Sequence, residues 1–144
     1  MDEFYELLNE YNKVKATFSE KAVSIIKENI RNIFEKTQIK AIHWTQFTPY
    51  FNDGDECIFG VYRIEVSTNP SATFDYYEEE NSDIYDADYL DSKVFSDYEI
   101  KLISNLVKVL EDKDIVEVLK FSFGDHVAVI ATKEGISIQD YDHY

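Results

Sequence analysis

The side chains able to do chemistry in this 144-residue chain are three histidines, one cysteine and 29 carboxylates. His43, His126 and His143 share no metal-ligand spacing. His43 and His126 fall on expected strands or their ends, so a sheet could bring them together. An enzyme would need that pair in one pocket beside a carboxylate. Otherwise they are strand histidines satisfied by backbone or water. Asp53-Gly54-Asp55 and Asp86-Ala87-Asp88 resemble fragments of a calcium loop, but neither has the twelve-residue frame that closes on a bidentate Glu. Cys57 stands beside Asp55 and Glu56, whose charges disfavour a thiolate nucleophile. It is expected to be a small buried hydrophobe. Four glycines make no phosphate cradle, and no nucleophile elbow or dinucleotide fingerprint is present. Carboxylate pairs carry no signal in so acidic a chain. The expectation is a non-enzymatic protein with no metal and no cofactor.

The acids are unevenly placed. The formal charge is −15, and residues 75–99 alone carry ten acids and one base. Within that run Asp75, Glu78, Glu79, Glu80, Asp83, Asp86, Asp88 and Asp91 alternate with Tyr76, Tyr77, Tyr85 and Tyr89. Such a surface could imitate nucleic acid, because carboxylates can occupy an Arg/Lys groove built for phosphates and gain the same long-range steering. Tyrosines would add contact area at low entropic cost. The plain alternative is a solvated loop, as charge runs usually are. Direct binding to DNA or RNA is disfavoured, since it rests on neutralising phosphates with Lys and Arg.

These groups depend on the elements that carry them. Phe4, Leu7, Tyr11, Val14 and Phe18 recur at steps of three and four, and Ala22, Ile25, Ile26, Ile30 and Ile33 continue with a shifted phase. Thr17 and Glu20 have capping-box spacing. Two helices are therefore expected, about 2–15 and 18–36. Residues 39–48 and 58–66 read as strands of a hairpin around Asp53-Gly54. In the second, Gly60, Tyr62, Ile64 and Val66 are expected on one face, with Arg63 and Glu65 on the other. Residues 68–95 show no period and read as an exposed excursion. Ser96-Asp97-Tyr98-Glu99 is a capping box that starts a helix of about 97–111, with Phe95 and Ile100 as its hydrophobic staple. Asp112 and Asp114 suit the cap of a shorter helix ending near Lys120. A second hairpin follows, with Gly135 at the left-handed turn position.

Trp44-Thr45-Gln46-Phe47-Thr48-Pro49-Tyr50-Phe51-Asn52-Asp53-Gly54-Asp55 resembles a segment of small acidic bacteriophage proteins. Phe123-Gly124-Asp125-His126-Val127, Thr132-Lys133-Glu134-Gly135 and Tyr141-Asp142-His143 resemble the C-terminal part of the same group. The resemblance implies an origin in a phage or prophage rather than a mechanism.

The pattern as a whole predicts one α+β domain spanning 1–144. Two β-hairpins form an antiparallel sheet, packed on one side by the N-terminal and central helices, with the acidic excursion at about 70–95. No apolar run is long enough for a spanning helix, and Met1-Asp2-Glu3 opens no signal peptide. The expected setting is cytoplasmic, the host cytoplasm if the protein is phage-encoded. The expected partner is a host protein with a basic surface, such as a defence nuclease, held through residues 75–91. The alternative is an assembly accessory that acts by homo-oligomerisation or through hairpin aromatics at Phe47, Tyr50 and Phe51.

Overall fold

A computed structural model describes residues 2–50, 54, 57–74 and 83–141. The first element is one helix, α1 (Asp2–Lys36), rather than two. No Gly or Pro interrupts it, and the backbone continues through Thr17 and Glu20 without using the capping box. The change of phase near residue 20 marks a change of surroundings. Burial begins at Ser19 and then follows Ala22, Ile26, Ile30, Ile33 and Phe34. Thirty-five residues span ~52 Å, and the N-terminal half projects beyond the folded body.

The strands are β1 (Ala41–Phe47), β2 (Gly60–Ser67), β3 (Ile84–Asp86), β4 (Val127–Thr132) and β5 (Gly135–Asp140). They form one antiparallel sheet in the order β3-β2-β1-β4-β5. The two expected hairpins are β1–β2 and β4–β5, and β1 joins them by pairing with β4. Gly135 (φ +128°) closes the second hairpin in a conformation that an L side chain resists.

Between β1 and β2 the register slips beside Trp44, where Arg63 adopts φ +51°. Two residues of β2 then oppose one of β1, which is a β-bulge. The bulge corrects the expected alternation. Ile64 and Val66 still face the core, but Tyr62 now shares the opposite face with Glu65 and stacks on Phe47 at 4.4 Å. Strand β3 lies inside the supposed excursion. It pairs Tyr85 with Val66, and Tyr85 meets the buried Phe95 edge-on at 4.9 Å.

Helices α2 (Asp97–Leu110) and α3 (Lys113–Phe123) pack with α1 on one side of the sheet. Ser96 and Glu99 form the reciprocal capping box of α2, and Asp112 caps α3. The core joins Ile26, Ile30 and Ile33 of α1 to Ile103, Leu106 and Leu110 of α2. Leu119 of α3 and Ile42, Trp44, Val66 and Val129 of the sheet complete it. Trp44 is fully buried and donates from Nε1 to Gln46 Oε1 at 3.0 Å. Gln46 Nε2 in turn donates to the carbonyls of Leu119 (2.9 Å) and Gly124 (2.7 Å). One buried amide thus ties the central strand to the end of α3.

Candidate functional site

Four surfaces can be compared on geometry. The histidines come first. His43 pairs with Ile130 across β1 and β4, and His126 lies four residues further along that strand direction. Four residues of strand separate them by ~13 Å. Each has its own carboxylate: His43 Nδ1 lies 3.3 Å from Glu65, and His126 Nδ1 lies 3.0 Å from Asp125. His43 is 3% exposed and stacks flat on Phe74 at 4.7 Å. The shared pocket that catalysis would need is not formed by this pair. Among the described residues, no group of three or more His, Cys, Asp or Glu is placed to hold a metal ion. Cys57 is exposed, against the expectation of burial, because β2 begins only at Gly60 and Phe59 takes the buried position.

Asp125 serves as a clasp. Its two oxygens accept from the Thr48 amide (2.8 Å) and hydroxyl (2.7 Å), which joins the end of β1 to the start of β4. Burial pushes its carboxyl up. The Thr48 hydrogen bonds and the charges of His126 and Lys120 outweigh that and hold it below the usual range. Glu99 is a second clasp. It accepts from Gln38 N and Nε2 and from Ser96 N, tying the start of α2 to the turn after α1. Burial again raises its carboxyl, and these hydrogen bonds bring it lower.

The acidic run divides. Asp75, Tyr76, Tyr77, Glu78, Glu79 and Glu80 lie outside the described residues. Tyr85 is turned toward Phe95. Asp83 accepts from Asn69, and Asp86 and Asp91 each accept from the amide two residues on, closing tight turns. Asp86, Asp88 and Asp91 remain exposed, and Tyr89 stands 83% exposed.

The hairpin aromatics also divide. Trp44 belongs to the core. On the opposite face Phe47 lies 5.7 Å from Tyr141, and Tyr50 stacks over His126 at 4.6 Å. Phe47 is half-buried, Tyr50 is exposed, and Phe51 lies outside the described residues.

An exposed apolar stripe runs along α1. Phe4, Leu7, Tyr11, Val14, Phe18 and Ile25 of α1 are between 51% and 68% exposed. Phe4, Tyr11, Phe18 and Ile25 are spaced by seven residues, with Leu7 and Val14 at the intervening fourth positions of the first two repeats and Lys21 at that of the third. That is the a/d pattern of a coiled-coil seam. The signal was present in the spacing, but a buried helix face reads the same way. Among the described residues, no helix is long and apolar enough to cross a membrane.

Comparison with known protein families, curated proteins and solved structures finds no match for the chain.

Proposed function

We propose that this is a non-enzymatic assembly protein that works as a homodimer, joined along the projecting half of α1. The observation that carries the reading is the exposed seven-residue repeat of that helix. A globular domain normally buries such a stripe. A second copy is the favoured occupant because the flanking charges suit it. In a parallel pair, Glu10 at a g position faces Lys15 at the following e position of the other copy. The two-fold axis repeats that attraction on both sides. The body of each protomer then sits at the same end of the seam, and the sheet faces are left free for a further partner. The resemblance to small acidic phage proteins favours a phage or prophage setting in a host cytoplasm.

Light scattering after size exclusion should give twice the mass of one chain, with little change between low and high salt, because the seam is mainly apolar. Leu7→Glu with Val14→Glu should return the protein to a monomer while its circular dichroism stays largely intact. A monomeric parent protein at about 100 μM, far above the micromolar range of a weak specific contact, would refute the reading.

A second reading rests on Asp86, Asp88, Tyr89 and Asp91. They form an ordered anionic edge, braced by β3 and the capped start of α2, that could enter the basic groove of a nucleic-acid-binding protein. Such a contact would weaken steeply with salt and be competed by DNA or RNA. Neutralising Asp86, Asp88 and Asp91 should abolish it. Partner binding that survives that change would rule it out.

A further inference from the structure

A groove of about 760 Å³ lies between the C-terminal half of α1 and the β4–β5 hairpin. Among the described residues its polar rim is made by Lys27, Arg31, Lys40 and Lys133, with Glu35 as the one carboxylate. The balance of these described residues is net +3 in a chain of −15. Four of the fourteen bases of the chain thus line one concavity. The floor is apolar, built by Ile30, Phe34, Ala131 and Ile136. The volume falls within the range that holds small organic ligands, and so does the combination of apolar walls with a few convergent charges.

The four cations are held differently. Lys40 Nζ donates to the carbonyls of Phe34 (2.6 Å) and Thr37 (2.9 Å). Those carbonyls belong to the end of α1, where the helix dipole would repel an anion. Lys40 neutralises that end and keeps a third N–H for a ligand. Arg31 pairs with Glu28 at 3.1 Å on the open surface, a contact that a stronger anion can displace. Among the described residues, neither Lys27 nor Lys133 has a carboxylate partner. At ~100° per residue, Lys27, Arg31 and Phe34 lie about half a turn around α1 from the exposed stripe. The groove is therefore independent of the proposed dimer seam.

We infer that this groove binds an organic phosphate: a ligand with two or more negative charges on its phosphate group and an apolar body that rests on Phe34 and Ile136. An excess of three positive charges suits a polyanionic head better than a single carboxylate. The planar fork of Arg31 matches phosphate oxygens in a way that lysine does not. An apolar floor has no use for an inorganic ion, so the body supplies part of the affinity. A nucleoside phosphate and an alkyl phosphate share this chemistry.

Titration calorimetry with the full chain can test the inference, using ADP, octyl phosphate below its micellar concentration, and inorganic pyrophosphate. At least one organic phosphate should bind about tenfold more tightly than pyrophosphate, a difference of ~1.4 kcal/mol. Binding of ADP identifies the nucleoside source, and binding of octyl phosphate the acyl or alkyl source. Lys27→Gln with Lys133→Gln should weaken that binding at least tenfold. Both side chains are exposed and carry no part of the core, so the thermal transition of the doubly changed protein should match the parent. No binding by either organic phosphate, equal binding of pyrophosphate, or unchanged affinity in the variant would overturn the assignment.

Discussion

Gln46→Leu offers the sharpest test of how the sheet and α3 are joined. Gln46 is fully buried, and its amide makes three hydrogen bonds: one accepted from Trp44 and two donated to the carbonyls of Leu119 and Gly124. Leucine nearly preserves the volume but removes all three. The buried Trp44 N–H then has no acceptor, which costs ~1–3 kcal/mol, and each carbonyl loses a bond worth about 1 kcal/mol. Added apolar burial returns about 1 kcal/mol. The net loss is ~2–4 kcal/mol, and for a domain of this size that lowers Tm by roughly 5–15 °C. Urea unfolding followed by intrinsic fluorescence is well suited, because Trp44 is the single tryptophan and sits at the altered site. The midpoint should fall by about 1–2.5 M. Gln46→Glu sharpens the result. It keeps an acceptor for Trp44 but sets a carboxylate oxygen against two carbonyls, so at neutral pH it should be at least as damaging as leucine. A loss below about 0.5 kcal/mol for leucine, which is the range of ordinary surface changes, would refute this account of the joint. A well-tolerated Glu would show that the carbonyls of Leu119 and Gly124 do not depend on the amide N–H groups.

Two other outcomes follow from the clasps and the turn. Glu99 and Asp125 both have carboxyls held low in the folded state, so their contribution is complete above the unfolded values of ~4.3 and ~3.9. It is lost as pH falls through the lower folded values. The stability gap between the parent and Glu99→Gln or Asp125→Asn should therefore be constant from pH 7 to about pH 5 and close in acid; a gap that widened on acidification would reverse the assignment. Gly124 ends α3 at φ +105° and ψ 175°, a region that only glycine enters freely. A Cβ there would meet Val127 at an ordinary 3.7 Å, so the expense of Gly124→Ala is backbone strain of ~1–3 kcal/mol, measurable by chemical denaturation.

The dimer reading and the groove reading separate cleanly in experiment. The seam variants change mass without touching the groove, and the lysine variants do the reverse. Should both hold, the protein would bring two organic-phosphate sites together on one elongated stalk. Ligand binding at the base of α1 would then occur on the same rigid helix that carries the seam.

Short-range chemistry was legible in the sequence. Ser96 and Glu99 sit three residues apart, so their capping box depends on nothing distant. Gly135 sets the second hairpin through its own φ. The α+β class, both hairpins and two of the three described helices follow from such terms. What the tertiary structure decided is whatever depends on a partner far along the chain. The stripe from Phe4 to Phe18 has the same period whether it is buried or bare, and only the absence of body around it shows that it is bare. The bulge at Arg63 depends on β2 meeting β1, and it moved Tyr62 to the opposite face. Tyr85 read as part of a charged run until β3 paired with β2 and turned it toward Phe95. Lys27 and Lys133 are more than a hundred residues apart, and they share a groove only because β1 recruits the C-terminal hairpin beside α1. Sequence periodicity states which side chains share a face; the sheet order decides which faces meet.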